Sequence, residues 1–134
     1  MSRPARIGEW DVFWVPQCRH SKPVKDKFVV VVAAQPRPLG LFINSSIPRF
    51  LRENQHRMKC YAAISAEEHR FLSHHSYIAC DRLFPFTLQE LTGKKGFLSP
   101  AARHQVKNAA QKCPVLEKKQ KILINKAHAS HPGD

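Results

Sequence analysis

A basic loop, a serine pair, two adjacent histidines and a strand-end carboxylate are the features of this chain whose side chains are suited to chemistry. Residues Gln17 to Asp26 carry Arg19, His20, Lys22 and Lys25 with little apolar character beyond Val24, and Lys27 follows at once. Cations gathered in and beside one exposed loop form a surface for a polyanion, and phosphate backbones are the commonest polyanions in a cell. Histidine titrates near neutrality, so His20 in that loop is suited to moving a proton at a phosphate ester. Ser45-Ser46 precede Ile47-Pro48, where a hydroxyl can cap a short helix or face a ligand oxygen. Asp81 ends an apolar strand text, the usual place for a carboxylate paired with a lysine. Adjacent strand residues point to opposite faces, so His74-His75 cannot chelate an ion as a unit. Cys18, Cys60, Cys80 and Cys113 contain no CxxC pair, and their spacing supports no zinc site. No metal and no cofactor are expected.

The elements that must position these groups follow from length and pattern. A chain of 134 residues forms one domain with a modest core. Its longest apolar run, Phe28 to Ala34, is far too short to cross a bilayer. No apolar stretch follows Arg3 and Arg6, so no signal peptide is expected, and the chain reads as soluble and cytoplasmic. In that compartment cysteines are expected as reduced thiols, with Cys60 and Cys80 packing on strands. The balance of 22 Lys+Arg against 10 Asp+Glu gives a net charge of +12. A field of that sign points to nucleic acid or an acidic protein as partner.

Five β-rich segments are legible: 10–15, ended by Pro16; 28–34, continuous and β-branched, the pattern of a strand covered on both faces; 39–44; 58–65; and 76–81. Short helical turns are expected at 48–52, 67–72 and 88–91. Ser99-Pro100 is a helix start, a hydroxyl cap followed by proline at the first position. Ala102, Val106, Ala109, Ala110 and Cys113 then fall on one helical stripe. Pro114 interrupts it, and Leu116 with Ile122, Leu123 and Ile124 can dock on the barrel or on a partner. The expected domain spans 1–124, with a loose arm over the first seven residues and a frayed tail over 125–134. Strands followed by a late helix give a mainly β or α+β fold.

The order Trp10-Asp11-Val12-Phe13-Trp14-Val15, polar loop, Lys27-Phe28-Val29-Val30-Val31-Val32, then Ser76-Tyr77-Ile78-Ala79-Cys80-Asp81, then Gly96-Phe97-Leu98-Ser99-Pro100 and a helix, resembles the MazF/PemK family of small ribonuclease toxins over roughly residues 8–116. That resemblance implies a small SH3-like β-barrel, also the fold of the CcdB-type gyrase poisons, with a C-terminal helix. It implies metal-independent cleavage of single-stranded RNA by attack of the 2′-hydroxyl. Lys27 stands where the family has arginine, and Phe28 where it usually has proline. Ser45 matches a hydroxyl that binds the phosphate. His20 and Asp81 match groups of the PemK branch, in which an arginine stands two residues before the acid. Here that position is Ala79, and Arg82 is expected on the face opposite Asp81. Catalytic roles are thus implied for His20, Lys27, Ser45 and Asp81, and RNA binding for Arg19, Lys22, Lys25 and Arg82. Homodimerisation and an acidic antitoxin partner are implied as well. The alternative is the same barrel without catalysis, acting as a module that binds nucleic acid, an antitoxin or a topoisomerase.

Overall fold

The computed structural model describes residues 7–128. Its chain order is β1 (Asp11–Cys18), β2 (Lys25–Ala33), β3 (Leu39–Asn44), α1 (Arg49–Arg52), α2 (Gln55–Met58), β4 (Tyr61–Ile64), β5 (Ser76–Pro85), β6 (Gly93–Phe97), α3 (Pro100–Lys112) and α4 (Lys118–Lys126). The strands form one antiparallel sheet in the order β4-β5-β3-β2-β1-β6. It curls into a half-open barrel of the expected SH3-like kind, with the C-terminal helices packed against it. Among the described residues no helix is long and apolar enough to cross a membrane.

Six strands stand where five are legible. The extra one, Gly93–Phe97, has the text Gly-Lys-Lys-Gly-Phe, which lacks the β-branched pattern of a strand. Pairing with β1 makes it one. Pro16 does not end β1. The ladder passes it through a register shift between Val15 and Cys18, where Gln17 takes a positive φ of 45° and donates its N–H to Asp26 Oδ1 at 2.9 Å. A bulge is where a strand tolerates a residue that cannot donate to the ladder. The polar loop therefore narrows to residues 19–24. The segment 67–72 is irregular rather than helical.

As its continuous apolar text requires, β2 is covered on both faces. Val30 and Val32 join Val12, Leu41, Ile43, Ile78 and Leu98 in the larger core beneath α3 and α4. Val29 and Val31 join Phe13, Val15, Phe86 and Leu91 in a smaller cluster on the other face. Gly40 makes the second cluster possible. A Cβ there would lie 2.5 Å from Val29 Cγ1 and 3.2 Å from the Phe86 ring.

The start of α3 is built as its sequence predicts. Ser99 Oγ accepts the Ala102 N–H at 3.1 Å, Pro100 fills the first position, and the stripe from Ala102 to Cys113 is buried. His69 locks that start from below. Its buried Nε2 accepts the Ser99 N–H at 3.1 Å, so the ring hydrogen sits on Nδ1, 2.7 Å from the Ser65 carbonyl that accepts it. His69→Ala leaves the half-buried Ser99 N–H and Ser65 carbonyl without this partner and is expected to destabilise by about 1–3 kcal/mol in denaturant unfolding. The exposed His104→Ala should stay within about 0.5 kcal/mol.

Two expectations need correction. Cys60 is not a free thiol: it precedes β4 and forms a disulfide with Cys113 at the end of α3. Helix packing on β4 brings together cysteines 53 residues apart, which sequence spacing alone does not reveal. Cys18 and Cys80 are free and buried, and burial pushes the Cys80 thiol far up, with the Asp81 charge adding to it. The packed chain also passes residue 124, since α4 runs to Lys126 and Ala127 is buried. Residues 1–6 of the expected arm and 129–134 of the expected tail lie outside the described residues.

Candidate phosphate-binding groove

Antiparallel pairing of β2 with β3 sets Phe28 against Ile43, so the start of β2 lies beside the end of β3. That register brings Lys25 and Lys27 to Ser45. These three residues form the shared wall of two adjoining cavities of about 320 and 330 Å³. The first is lined by Trp14, Asp26, Phe28, Ile43, Leu72, Ser73, His74 and Ser76 besides the shared wall, with Ser73 and His74 exposed and Ser76 buried. The second is lined by Ser21, Lys22, Phe42, Asn44, Ser46 and Pro48 besides the shared wall.

Lys27 is only 8% exposed. Its ammonium donates to Asn44 Oδ1 and lies 5.3 Å from the centre of the Phe42 ring. Burial lowers its pKa from the ordinary lysine value, and the like charge of Lys25 lowers it further against a small opposing effect of Cys18. A poorly hydrated cation held by one amide is primed to exchange that partner for a phosphate oxygen. Ser45 is exposed and its helix does not need it: the N-cap position of α1 is Pro48, with no side-chain cap. Neither Ser45 nor Ser46 caps α1, and Ser45 lines both cavities.

The other sequence-named residues lie along the second face of the sheet, outside both cavities. His20 Nε2 donates to the Pro85 carbonyl at 2.6 Å, and its ring sits 5.0 Å from Phe84 and 5.2 Å from Phe86. Arg19 is committed to Glu90 at 3.0 Å and to the Pro85 carbonyl at 3.1 Å. Burial alone would raise the Glu90 carboxyl, but Arg19 and the Thr87 N–H together hold it below its usual value. Asp81 pairs with Arg57 at 3.6 Å, and its charge adds to burial in raising the Tyr61 hydroxyl against the opposing Arg57.

Arg82 is where simple alternation fails. Gly40 pairs with Phe84 and Phe42 with Ala79, so two steps along β3 match five along β5. This bulge puts Phe84 on the same face as Phe42 and Ala79. The two rings stack at 4.7 Å and 18°, and the Arg82 guanidinium lies 4.9 Å over Phe84. Arg82 thereby serves the face that Ala79 occupies. Phe42 and Phe84 link Lys27 at one end to Arg82 and His20 at the other.

Sequence reasoning singled out neither Asn44, Glu90 nor Arg57 as partners, and it gave His74 no role. Asn44 was legible in principle, since it alternates with Phe42 at the end of a strand. Glu90 and Arg57 meet their partners only through tertiary contacts.

No family model and no curated protein sequence matches the chain. Solved structures do. An endoribonuclease in complex with its cognate antitoxin from mycobacterial species aligns at a TM-score of 0.59 and 11% identity, over 81% of this chain and 94% of that one. The Mycobacterium tuberculosis toxin MazF-mt6 aligns at 0.57 and 12%, over 80% and 98%. A further mycobacterial endoribonuclease aligns at 0.57 and 13%, over 82% and 92%. At such identities the likeness is one of fold, and this chain has the MazF-like fold.

Proposed function

We propose that the chain is a toxin-like endoribonuclease acting on single-stranded RNA without a metal ion. The observation that carries this reading is the shared wall of Lys25, Lys27 and Ser45 between two cavities, on a chain of net charge +12. Lys27 and Lys25 meet the charge that grows on the phosphoryl oxygens, and Ser45 donates to one of them. The ribose 2′-oxygen bonds to phosphorus as its proton passes to a base. The bond from phosphorus to the 5′-oxygen breaks as that oxygen takes a proton from an acid. A cyclic phosphate and a free 5′-hydroxyl remain. In-line displacement places base and acid on opposite sides of phosphorus. His74 lines the first cavity together with Lys27 and is proposed as one proton-transfer group. His20 and Asp81 lie outside both cavities, held by the Pro85 carbonyl and by Arg57, and would have to turn into the groove to act as the other. Lys22, Arg19 and Arg82 extend the cationic path for the strand. Alongside the solved endoribonuclease–antitoxin complex of this fold, an acidic antitoxin is the partner proposed here, with a cytoplasmic homodimer as the working form.

Salt tests the phosphate site. On single strands log K falls by about 0.7 per neutralised phosphate for each decade of salt, so three lysines at the groove predict a slope near −2. Lys22→Gln with Lys25→Gln should flatten it by about 1.4 units. A flat response of the unaltered chain would remove the groove as a nucleic-acid site.

A further inference from the structure

Resting on the RNA-binding reading above, we infer that the first cavity is a subsite for one unpaired nucleobase, stacked on Trp14 while its phosphate lies at Lys27 and Ser45. Its volume of about 320 Å³ sits at the small end of the roughly 300–1,000 Å³ of ligand pockets, room for one heterocycle. Trp14, Phe28, Ile43 and Leu72 make part of the lining aromatic and apolar, and the charged part is Lys25 and Lys27 with Asp26, whose Oδ1 already accepts the Gln17 N–H. A base attached to a phosphate presents that same division of flat apolar body and charged end.

Trp14 is available for this role because of its neighbours. Across β2 it meets Phe28 edge-on, with ring centres 4.7 Å apart at 64°. Across β6 its partner is Gly93, which has no side chain to cover the indole, and Trp14 stays half-buried. At the rim, Ser73 Oγ and His74 Nδ1 are paired at 3.0 Å, and His74 Nε2 is the ring nitrogen left to meet the nucleotide. Aromatic faces bind unpaired bases with little regard to sequence. The subsite therefore selects single strands, because a paired base cannot enter.

The chain carries its own reporter, since of its two tryptophans Trp10 is 1% exposed and Trp14 faces the cavity. Titration with an end-labelled oligoribonucleotide should quench tryptophan emission along the isotherm given by the label's anisotropy. Trp14→Phe should abolish the quenching and leave binding detectable. Inorganic polyphosphate should compete for the lysines without quenching. A nucleoside monophosphate should bind at least tenfold more weakly than the strand. Ser73→Phe, which fills the cavity from an exposed rim position, should weaken strand binding about tenfold or more. Anisotropy without quenching, equal quenching by polyphosphate, or saturation by the monophosphate without quenching would each overturn the base subsite and leave the phosphate groove standing. No anisotropy change at low salt would overturn both.

Discussion

Lys27→Ala is expected to lower RNA cleavage by about 10²–10³-fold, the usual consequence of removing one preorganised donor from a developing oxyanion. The effect is large because this ammonium is nearly buried and donates to one amide, that of Asn44, so no bulk water stands ready to replace it. Lys27→Arg tests the same position in the opposite direction. It supplies the bidentate fork that suits a phosphate, and a rate limited by the single ammonium should rise. The two side chains should also separate in alkali. Burial, then Lys25, lowers the Lys27 pKa below its ordinary 10.5. The folded chain therefore releases this proton before the unfolded chain does. The burden of the buried charge on stability is full at neutral pH and fades as pH rises from the lowered value towards 10.5. Phosphate binding moves the other way, failing across that window in the Lys27 protein and persisting in Lys27→Arg. A shared alkaline limb, measured above the enzyme-free background, would place the scissile phosphate elsewhere.

Leu41→Ala should be the most damaging single core truncation for stability, at about 2–5 kcal/mol. Leu41 is fully buried in the larger core and pairs with Val30 across the centre of the sheet, where neither strand can shift to fill the cavity. In a domain of this size that loss lowers the melting temperature by on the order of 10 °C. Leu88 is 62% exposed, and Leu88→Ala should stay within about 0.5 kcal/mol. Equal losses at the two sites would show that the smaller cluster and its flanking turn hold the fold together.

What was legible in the sequence was whatever local pattern decides. Continuous β-branching in β2 meant coverage on both faces, and Ser99-Pro100 with its apolar stripe meant a docked helix. The hydroxyl after β3 and the lysine at the start of β2 were named from the resemblance, which places them at legible strand ends, and the register of β2 with β3 brings them together. What stayed hidden depended on partners distant in the chain. Gly93–Phe97 becomes a strand only beside β1. Cys60 finds Cys113 only once α3 lies on β4. Arg82 changes face because β5 bulges opposite Gly40 and Phe42, and no period-2 reading predicts a bulge. His20 was named from the resemblance to the PemK branch, on a loop read as ten residues. With β1 continuing to Cys18, that loop is shorter, and the imidazole turns to the Pro85 carbonyl.

The central claim is that this groove cleaves RNA rather than merely holding it. Purified protein incubated with single-stranded RNA in EDTA, with the ends of the fragments analysed, tests it most directly. The account predicts fragments ending in a cyclic phosphate and beginning with a free 5′-hydroxyl, in yields that drop for Lys27→Ala and for His74→Ala. Intact RNA under conditions in which the strand is fully bound would contradict it. That result would leave a MazF-like fold whose lysine at position 27 and alanine at position 79 mark a binding module.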